Sequence, residues 1–291
     1  MKIQRIIALA VVFVALSQCK KASEEPYPNK NIVMDNAQAA VYFHAVFSEA
    51  ENVWAFIHSQ KYEEKSYRDP ASTSTSSRVM TYESYNETKN RVTVEYVNWT
   101  TNLLSLSGKI EVIFDKDSSY RKDGKMANVM LTDFLINDQK VAGEATLKYR
   151  RVGSSNPDVS VNDQYTFALL NGAVIYEKEN PTQALISCSI SNGQYERIQG
   201  NSTLKQDDDE WVYSSGAMTG MLRDDPNLKY TNTVSPSYTQ NGQNIDGKVY
   251  YTASCKTARQ GISLVKITGR PDIRYFYNCL DIDFVSFTDV Y

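Results

Sequence analysis

The 291-residue sequence contains only two histidines, four cysteines, three tryptophans and eight prolines, and it has no block of basic residues. Two histidines are too few for a multi-histidine metal centre, and a net charge of −3 without a basic patch argues against nucleic acid as a partner. Sequence motifs of serine hydrolases, zinc peptidases and P-loop nucleotide-binding proteins are absent. We therefore predict no cofactor and no metal.

The sequence does contain apolar mass and many tyrosines. Hydrophobic residues make up 42% of the chain, enough for one large or two ordinary domains. Tyrosine occurs twenty times, and its ring packs well on the pleated, half-buried surface of a sheet. The composition favours a folded, β-rich protein over a disordered chain.

The N-terminal residues have the features of an export signal. Lys2 and Arg5 precede an apolar run over 6–16, which at eleven residues is too short to span a membrane. Cys19 follows where this run ends. The arrangement resembles a bacterial lipobox, in which the cysteine is lipidated and becomes the mature N-terminus, although Gln18 stands where Gly, Ala or Ser is usual.

The lipobox resemblance implies an outer-membrane protein anchored through its N-terminal lipid. It predicts a signal peptide over 1–18, lipidation of Cys19 and an extended tether over 19–34. Glu24 and Glu25, shortly after the cysteine, are similar to the surface-export signal of Bacteroidota lipoproteins. They favour display on the outer surface over retention in the periplasm.

The hydrophobic period divides the rest of the chain. Residues 35–61 carry apolar side chains near 3.6-residue spacing without glycine or proline, which predicts one N-terminal helix capped by Asp35. A Ser/Thr-rich stretch predicts a polar loop over 62–78. The period then changes to two, which predicts a β-rich domain over 79–291 that would divide near 150–163 if it comprises two subdomains.

Turn signals between these strands predict antiparallel pairing. Five of the thirteen glycines follow Asn or Asp, and such pairs supply the positive φ angles of tight turns. Residues 167–176, with Asn171-Gly172 at their centre, are interpreted as the clearest hairpin, and Asn192-Gly193 as another turn. The predicted fold class is mainly β: an antiparallel β-sandwich or barrel-like sheets, with the helix packed on an end or a face.

Four segments carry an ordered set of motifs: Ser107–Phe114, Lys122–Gly124, Asp133–Gly143 and Glu144–Lys148. They resemble a group of Bacteroidota cell-envelope lipoproteins whose pattern is G-x-I-x-V, a turn, a long strand, V-N-x-x-x-V-x-G and T-x-T. Where that family ends in a Gly-Asp-Gly-x-Cys-Asp turn, this chain keeps Cys279 but neither glycine. The resemblance implies an all-β envelope lipoprotein, and the family has no settled activity to transfer.

The cysteines and histidines suggest little chemistry. Cys255 and Cys279 lie 24 residues apart on predicted neighbouring strands, and the sequence leaves both a disulfide and two buried thiols open. Cys188 is predicted to be a buried apolar thiol. His44 and His58 would stand about 20 Å apart along the helix, so they cannot share one metal ion.

The acidic residues offer few candidates. Residues 115–123 echo a calcium loop without its sharp-turn glycine, and 207–210 is typical of a solvated charge run. Asp281 and Asp283 share one face of the last predicted strand, a spacing that a glycoside hydrolase would permit.

Aromatic side chains on strands are the remaining candidates for a binding surface. The predicted ligand-facing residues are Tyr82, Tyr85, Tyr96, Trp99, Tyr275 and Tyr277. Exposed rings stack on sugars, while cross-strand packing is the alternative for each ring. We predict a non-catalytic binding module for a glycan or host polymer. The alternatives are a carboxylate-dependent glycan hydrolase, and a structural accessory subunit whose protein partner is an outer-membrane transporter or appendage.

Overall fold

The structure of the chain is a computed structural model. It describes residues 30–59, 66–101, 103–116, 122–150, 163–175, 184–198, 210–222, 225, 227–234, 238–240, 243–245, 247–252, 254–255, 257–279 and 286–290. Cys19 and the predicted signal peptide lie outside these residues. Residues 32–291 form one compact unit, and only Lys30 and Asn31 are described from the rest of the chain.

The described elements are one helix and sixteen strands. The helix α1 spans Lys30–Ser59. The strands are β1 (Ser66–Arg68), β2 (Ser77–Ser84), β3 (Lys89–Thr101), β4 (Leu104–Asp115), β5 (Met126–Ile136), β6 (Gln139–Arg150), β7 (Gln164–Ile175), β8 (Ala184–Ile198), β9 (Glu210–Met221), β10 (Lys229–Val234), β11 (Tyr238–Gln240), β12 (Gln243–Ile245), β13 (Val249–Thr252), β14 (Gly261–Ile267), β15 (Asp272–Tyr277) and β16 (Ser286–Val290). Within the described ranges no helix has the length and apolar character needed to cross a membrane.

Fourteen strands form one antiparallel sheet. Its order follows the chain from β1 to β10 and continues through β14, β15 and β16, while β11 and β12 form a separate hairpin. β13 lies off this path and pairs with residues 210–213 of β9, whose residues 217–221 pair with β10. The order starts at β1 and ends at β16, so the sheet is open. This confirms the predicted mainly β, antiparallel class with one N-terminal helix.

The curved sheet surrounds α1. Every residue from Val41 to Ala50 is buried, and since this segment makes about three helical turns, all its faces are covered. Phe47 stacks at 4.1 Å on Tyr195 of β8. The helix therefore packs on the inner face of the sheet, and because this face curves around it, apolar side chains on all sides of the helix axis are buried.

A row of β-bulges bends the sheet around the helix. Six consecutive strands, β3 to β8, carry a residue with positive φ at a shift in pairing register. These residues are Asn98, Gly108, Asp133, Gly143, Asn171 and Asn192. At Gly108 a Cβ atom would lie 2.1 Å from the Asp133 carbonyl oxygen, so only glycine allows β4 and β5 to approach each other this closely. Bulges bend strands and increase their twist, and their repetition curves the whole sheet.

Two turns predicted from Asn-Gly pairs are wrong, because each pair forms a β-bulge within a continuous strand. Asn171-Gly172 lies inside β7 and Asn192-Gly193 inside β8, and both strands continue through these pairs. An asparagine at positive φ serves a bulge as well as a turn, so the two have the same local sequence.

The element boundaries also differ from the predicted ones. α1 begins at Lys30, inside the predicted tether, and is described to Ser59, while residues 60 and 61 lie outside the described part. β1 and the start of β2 fall inside the predicted polar loop over 62–78, because short polar strands lack the apolar alternation used to recognise strands. β6 and β7 pair with each other from Lys140↔Ile175 to Arg150↔Gln164, so the sheet continues across the predicted division near 150–163.

Candidate functional site

The four predicted aromatic residues on and beside β2 and β3 do not assemble into a binding surface. Tyr85 and Trp99 lie near opposite ends of the β2–β3 hairpin, and Tyr82 and Trp99 are half-buried against the core. Tyr96 is 2% exposed, and its hydroxyl donates a 2.7 Å hydrogen bond to Glu49 Oε2 of α1. The prediction of Tyr96 as ligand-facing is therefore wrong, because its ring lies on the inner face of the sheet. Tyr85 is 48% exposed.

The other two predicted aromatic residues, both on β15, lie at or beside a pocket. Tyr275 and Tyr277 are buried and form no exposed platform, which corrects that prediction. Tyr277 instead lines a small, partly open cavity of about 30 Å³, which we call the tyrosine pocket. Its lining residues come from α1 and from six strands: Ala40, Ile190, Tyr195, Tyr213, Met218, Asn232, Thr233, Val249, Tyr251, Ser263 and Tyr277.

The tyrosine pocket lies where β9 exchanges one neighbouring strand for another. β9 pairs with β13 up to Tyr213 and with β10 from Ala217. Gly216, between these two ladders, has a φ of 127°, and a Cβ atom there would lie 2.4 Å from the Tyr213 hydroxyl. Glycine is therefore required where the ladder is interrupted. Residues of both β10 and β13 line the cavity beside this point.

Hydroxyl and amide groups form a hydrogen-bonded network along one wall of the pocket. Asn232 Nδ2 donates a 2.8 Å hydrogen bond to the Tyr275 hydroxyl, which lies 3.1 Å from the hydroxyl of Tyr277. Burial raises the pKa of both tyrosines above its ordinary value. These hydroxyls therefore stay protonated at neutral pH and act as neutral donors and acceptors.

Two further tyrosines line the pocket without a hydrogen bond from their hydroxyls to the described residues. Tyr195 is 4% exposed and Tyr213 is half-buried. Neither hydroxyl forms a hydrogen bond to another group in the described part of the chain, and neither is sealed from solvent. Burial raises the pKa of both groups, so each offers an uncharged O–H to a bound molecule.

His44 lies behind the pocket wall. Its ring stacks on Tyr251 with centroids 3.8 Å apart and an interplanar angle of 11°. Its Nδ1 is buried without a hydrogen-bond partner among the described residues. Burial lowers the pKa of His44 to about 3, because the imidazolium would lose its hydration.

Because the pKa of His44 is lowered in the folded chain, we expect acid to destabilise the protein. The pKa of His44 is about 3 in the folded chain and about 6.5 when unfolded, so between these values the unfolded state binds more protons. Neutral His44 therefore makes its full contribution to the free energy of unfolding above about pH 6.5, and this contribution declines as the pH falls. We expect urea denaturation to show a loss of about 2 kcal/mol between pH 7 and pH 5.

The matched variant is His44→Gln, which has no proton to gain in this range. Its unfolding free energy should be lower at pH 7 but nearly constant from pH 7 to pH 5, where most carboxylates are still ionised. An unchanged pH slope in the variant would contradict the assignment to His44.

None of the described residues that line the pocket carries a carboxylate. Glu49 and Glu51 are buried in α1 and accept hydrogen bonds from tyrosines of the sheet, Glu51 Oε1 at 2.9 Å from the Tyr165 hydroxyl. They hold the helix in position within the sheet. Asp281 and Asp283 lie outside the described residues. Among the residues described, no group of three or more His, Cys, Asp or Glu is arranged to hold a metal ion.

Two cysteines flank the pocket wall. Cys255 and Cys279 form a disulfide, with Sγ atoms 2.09 Å apart. They follow β13 and β15, the strands that place Tyr251 and Tyr277 in the pocket. Cys188 is a buried free thiol, and burial raises its pKa to about 12, so it stays protonated.

The pocket residues Tyr195, Tyr213 and Tyr251 were not predicted from the sequence. Strand alternation places Tyr195 and Tyr251 on the inner face, but their meeting depends on the pairing of β13 with β9, which has no local signal. A partly apolar cavity with a few convergent polar groups is the usual form of a small-molecule binding site. No family model, curated protein or solved structure matches the chain.

Proposed function

We propose that this chain is a lipid-anchored protein of the bacterial outer membrane that binds a glycan, without catalysis, through the side chains around the tyrosine pocket. The observation that carries the proposal is the lining of the pocket, which combines four tyrosine rings with hydroxyl and amide groups. Aromatic faces pack against the C–H faces of sugars, and hydroxyls exchange hydrogen bonds with sugar hydroxyls.

The export pattern at the N-terminus supports the location. Cys19 follows a short apolar run and a charged start, as in a lipoprotein signal. Glu24 and Glu25 favour the outer surface, where a glycan or host polymer would be accessible. Because a single acyl chain gives only reversible membrane binding, stable anchoring at Cys19 implies more than one acyl chain.

Binding is favoured over hydrolysis by the same lining. A glycoside hydrolase needs two carboxyl groups about 5–10 Å apart beside the scissile bond. None of the side chains described around the tyrosine pocket is a carboxylate. The pocket can therefore orient a sugar through rings and hydroxyls but has no described general acid or nucleophile.

A cell-fractionation assay tests the proposal. Cells producing the full chain are incubated with a panel of fluorescent glycans, and bound glycan is measured in membrane and soluble fractions. We expect binding in the membrane fraction for the native chain. In Cys19→Ser the binding should move to the soluble fraction and fatty-acid labelling should disappear, because the thiol that accepts the lipid is gone.

Cys188→Ser, at a buried cysteine remote from the export signal, is the control and should remain labelled and membrane-bound. Labelled, membrane-bound Cys19→Ser would overturn the anchoring. A panel on which no glycan binds to any fraction would overturn the glycan-binding function.

A further inference from the structure

We infer that Met126, Met130 and Met221 are oxidation sites, at which the chain takes up hydroperoxide on its outer surface before the oxidant reaches the sulfur groups of its core. This chemistry goes beyond the proposed glycan binding and does not depend on it. Three observations carry the inference: the exposure of these methionines, the polar groups beside them, and the burial of other sulfur-containing side chains.

The first observation is exposure. Met126 is 46% exposed, and Met130 and Met221 are each 42% exposed. They are three of the eight large apolar residues that are exposed in the described part of the chain, although the whole sequence has only seven methionines. Met126 and Met130 lie an even number of residues apart on β5, so strand alternation places both on the outer face of the sheet. A peroxide in solution therefore reaches these thioethers without any opening of the sheet.

The second observation is the polar surroundings of the exposed thioethers. Two of the three lie opposite a lysine in the antiparallel ladders, Met126 opposite Lys148 and Met221 opposite Lys229. Oxidation turns the apolar thioether into a polar sulfoxide. On the outer face the new oxygen stays hydrated, and directly opposite lysines are within reach to donate hydrogen bonds to it. The modification therefore costs little stability at these positions.

The third observation is the contrast with sulfur groups on the inner face. Met80 is 2% exposed, Met218 is 4% exposed, and Cys188 is a buried free thiol. Met218 and Met221 lie on the same strand, β9, but only Met221 is accessible to solvent. A sulfoxide at Met80 or Met218 would be a polar group among apolar side chains and would disrupt their packing. The exposed methionines react first, and their oxidation leaves the core intact.

The reaction is an oxygen transfer from a hydroperoxide, for which hydrogen peroxide is the probe. The thioether sulfur attacks one peroxide oxygen, so that a sulfur–oxygen bond forms while the oxygen–oxygen bond breaks. The leaving hydroxide takes the proton of the transferred hydroxyl and becomes water. Sulfur is oxidised by two electrons to the sulfoxide, and the peroxide is reduced by the same two electrons.

The first test compares oxidation rates within the purified full chain. The chain is treated with excess hydrogen peroxide, and each methionine is followed by mass spectrometry of its peptides. We expect Met221 to be oxidised at least about tenfold faster than Met218 on the same strand, because Met218 reacts only when the sheet opens locally. Met126 and Met130 should follow Met221, and the midpoint of urea unfolding should stay unchanged once these three are sulfoxides. Equal rates at Met218 and Met221, or a lowered midpoint, would overturn the inference.

The second test asks whether the exposed methionines protect the core. In a triple variant, Met126→Leu, Met130→Leu and Met221→Leu remove the exposed thioethers and keep apolar side chains of similar size. With about one equivalent of peroxide per exposed methionine, the native chain should consume the oxidant at its surface. Sulfoxide at Met80 and Met218 should then be severalfold higher in the triple variant.

The matched control is Leu170→Val, which changes an exposed apolar residue of the outer face and keeps every methionine. It should be oxidised in the same pattern as the native chain. If Met80 and Met218 gain no more sulfoxide in the triple variant than in this control, the exposed methionines do not shield the core and the inference is wrong.

Discussion

Replacing Arg197 with methionine is expected to lower the free energy of unfolding by about 3–5 kcal/mol. Arg197 Nη2 lies 2.5 Å from Asp163 Oδ2, and both side chains are only 6% exposed. The same carboxylate accepts a 3.1 Å hydrogen bond from the Tyr149 hydroxyl, and the guanidinium lies 6.0 Å from the ring centre of Trp211. Methionine fills similar space but removes the positive charge that Arg197 places against the buried carboxylate, and this loss is the costly part of breaking a buried pair.

Arg91→Met is the matched control at an exposed pair. Arg91 contacts Glu83 and Glu111, but its side chain is 30% exposed and that of Glu83 is 46% exposed. Solvent screens such pairs, so this variant should lose less than about 1 kcal/mol. Both variants are compared by urea denaturation at pH 7, and equal losses would contradict a special role for the buried pair.

A double variant separates the charge from the packing. Asp163→Asn combined with Arg197→Met removes both charges and should be more stable than the sum of the two single losses predicts, because no ionised group is left buried alone. Strict additivity would show that the two residues contribute independently, and the explanation through an unpaired charge would be wrong.

The fold class was predictable because it depends on local periodicity. Period-two alternation identified the strands, and apolar residues near 3.6-residue spacing identified the helix. The curvature was not predictable, because Asn171 and Asn192 produce bulges with the same local sequence that hairpin turns use. The burial of α1 on all sides was not predictable from this spacing, which indicates a helix but not how much of its surface the sheet covers.

The candidate site was predictable only in part. Tyr275 and Tyr277 were chosen as exposed rings, and the structure places them at the inner face, one behind the pocket and one in its wall. Alternation gives the period of a strand but not which face is buried. The other walls come from Tyr195, Tyr213 and Tyr251. Tyr195 and Tyr213 pair directly on the consecutive strands β8 and β9, but Tyr251 joins them only through the pairing of β13 with β9, which are distant in sequence. Such pairings depend on the whole topology, which no short motif encodes.

Removing the disulfide is expected to lower the free energy of unfolding by about 3 kcal/mol. Cys255 and Cys279 are separated by 24 residues, and the bond limits the conformations open to that loop in the unfolded chain. In the folded chain the described pairing of β13 is a four-residue ladder with β9 and one bridge from Tyr250 to Gln260. The disulfide is therefore a main restraint on the strand that carries Tyr251 into the pocket.

Reductant sensitivity distinguishes this role from a general effect of mutating cysteines. Dithiothreitol should destabilise the native chain and the control Cys188→Ala, in which the disulfide is intact, by similar amounts in urea denaturation. The double variant Cys255→Ser with Cys279→Ser should start at the lower stability and not respond to the reductant. Its affinity for a pocket ligand should also fall, because a loosened β13 must be ordered again on binding. A native chain equally stable with and without reductant would show that the bond does not restrain this part of the sheet.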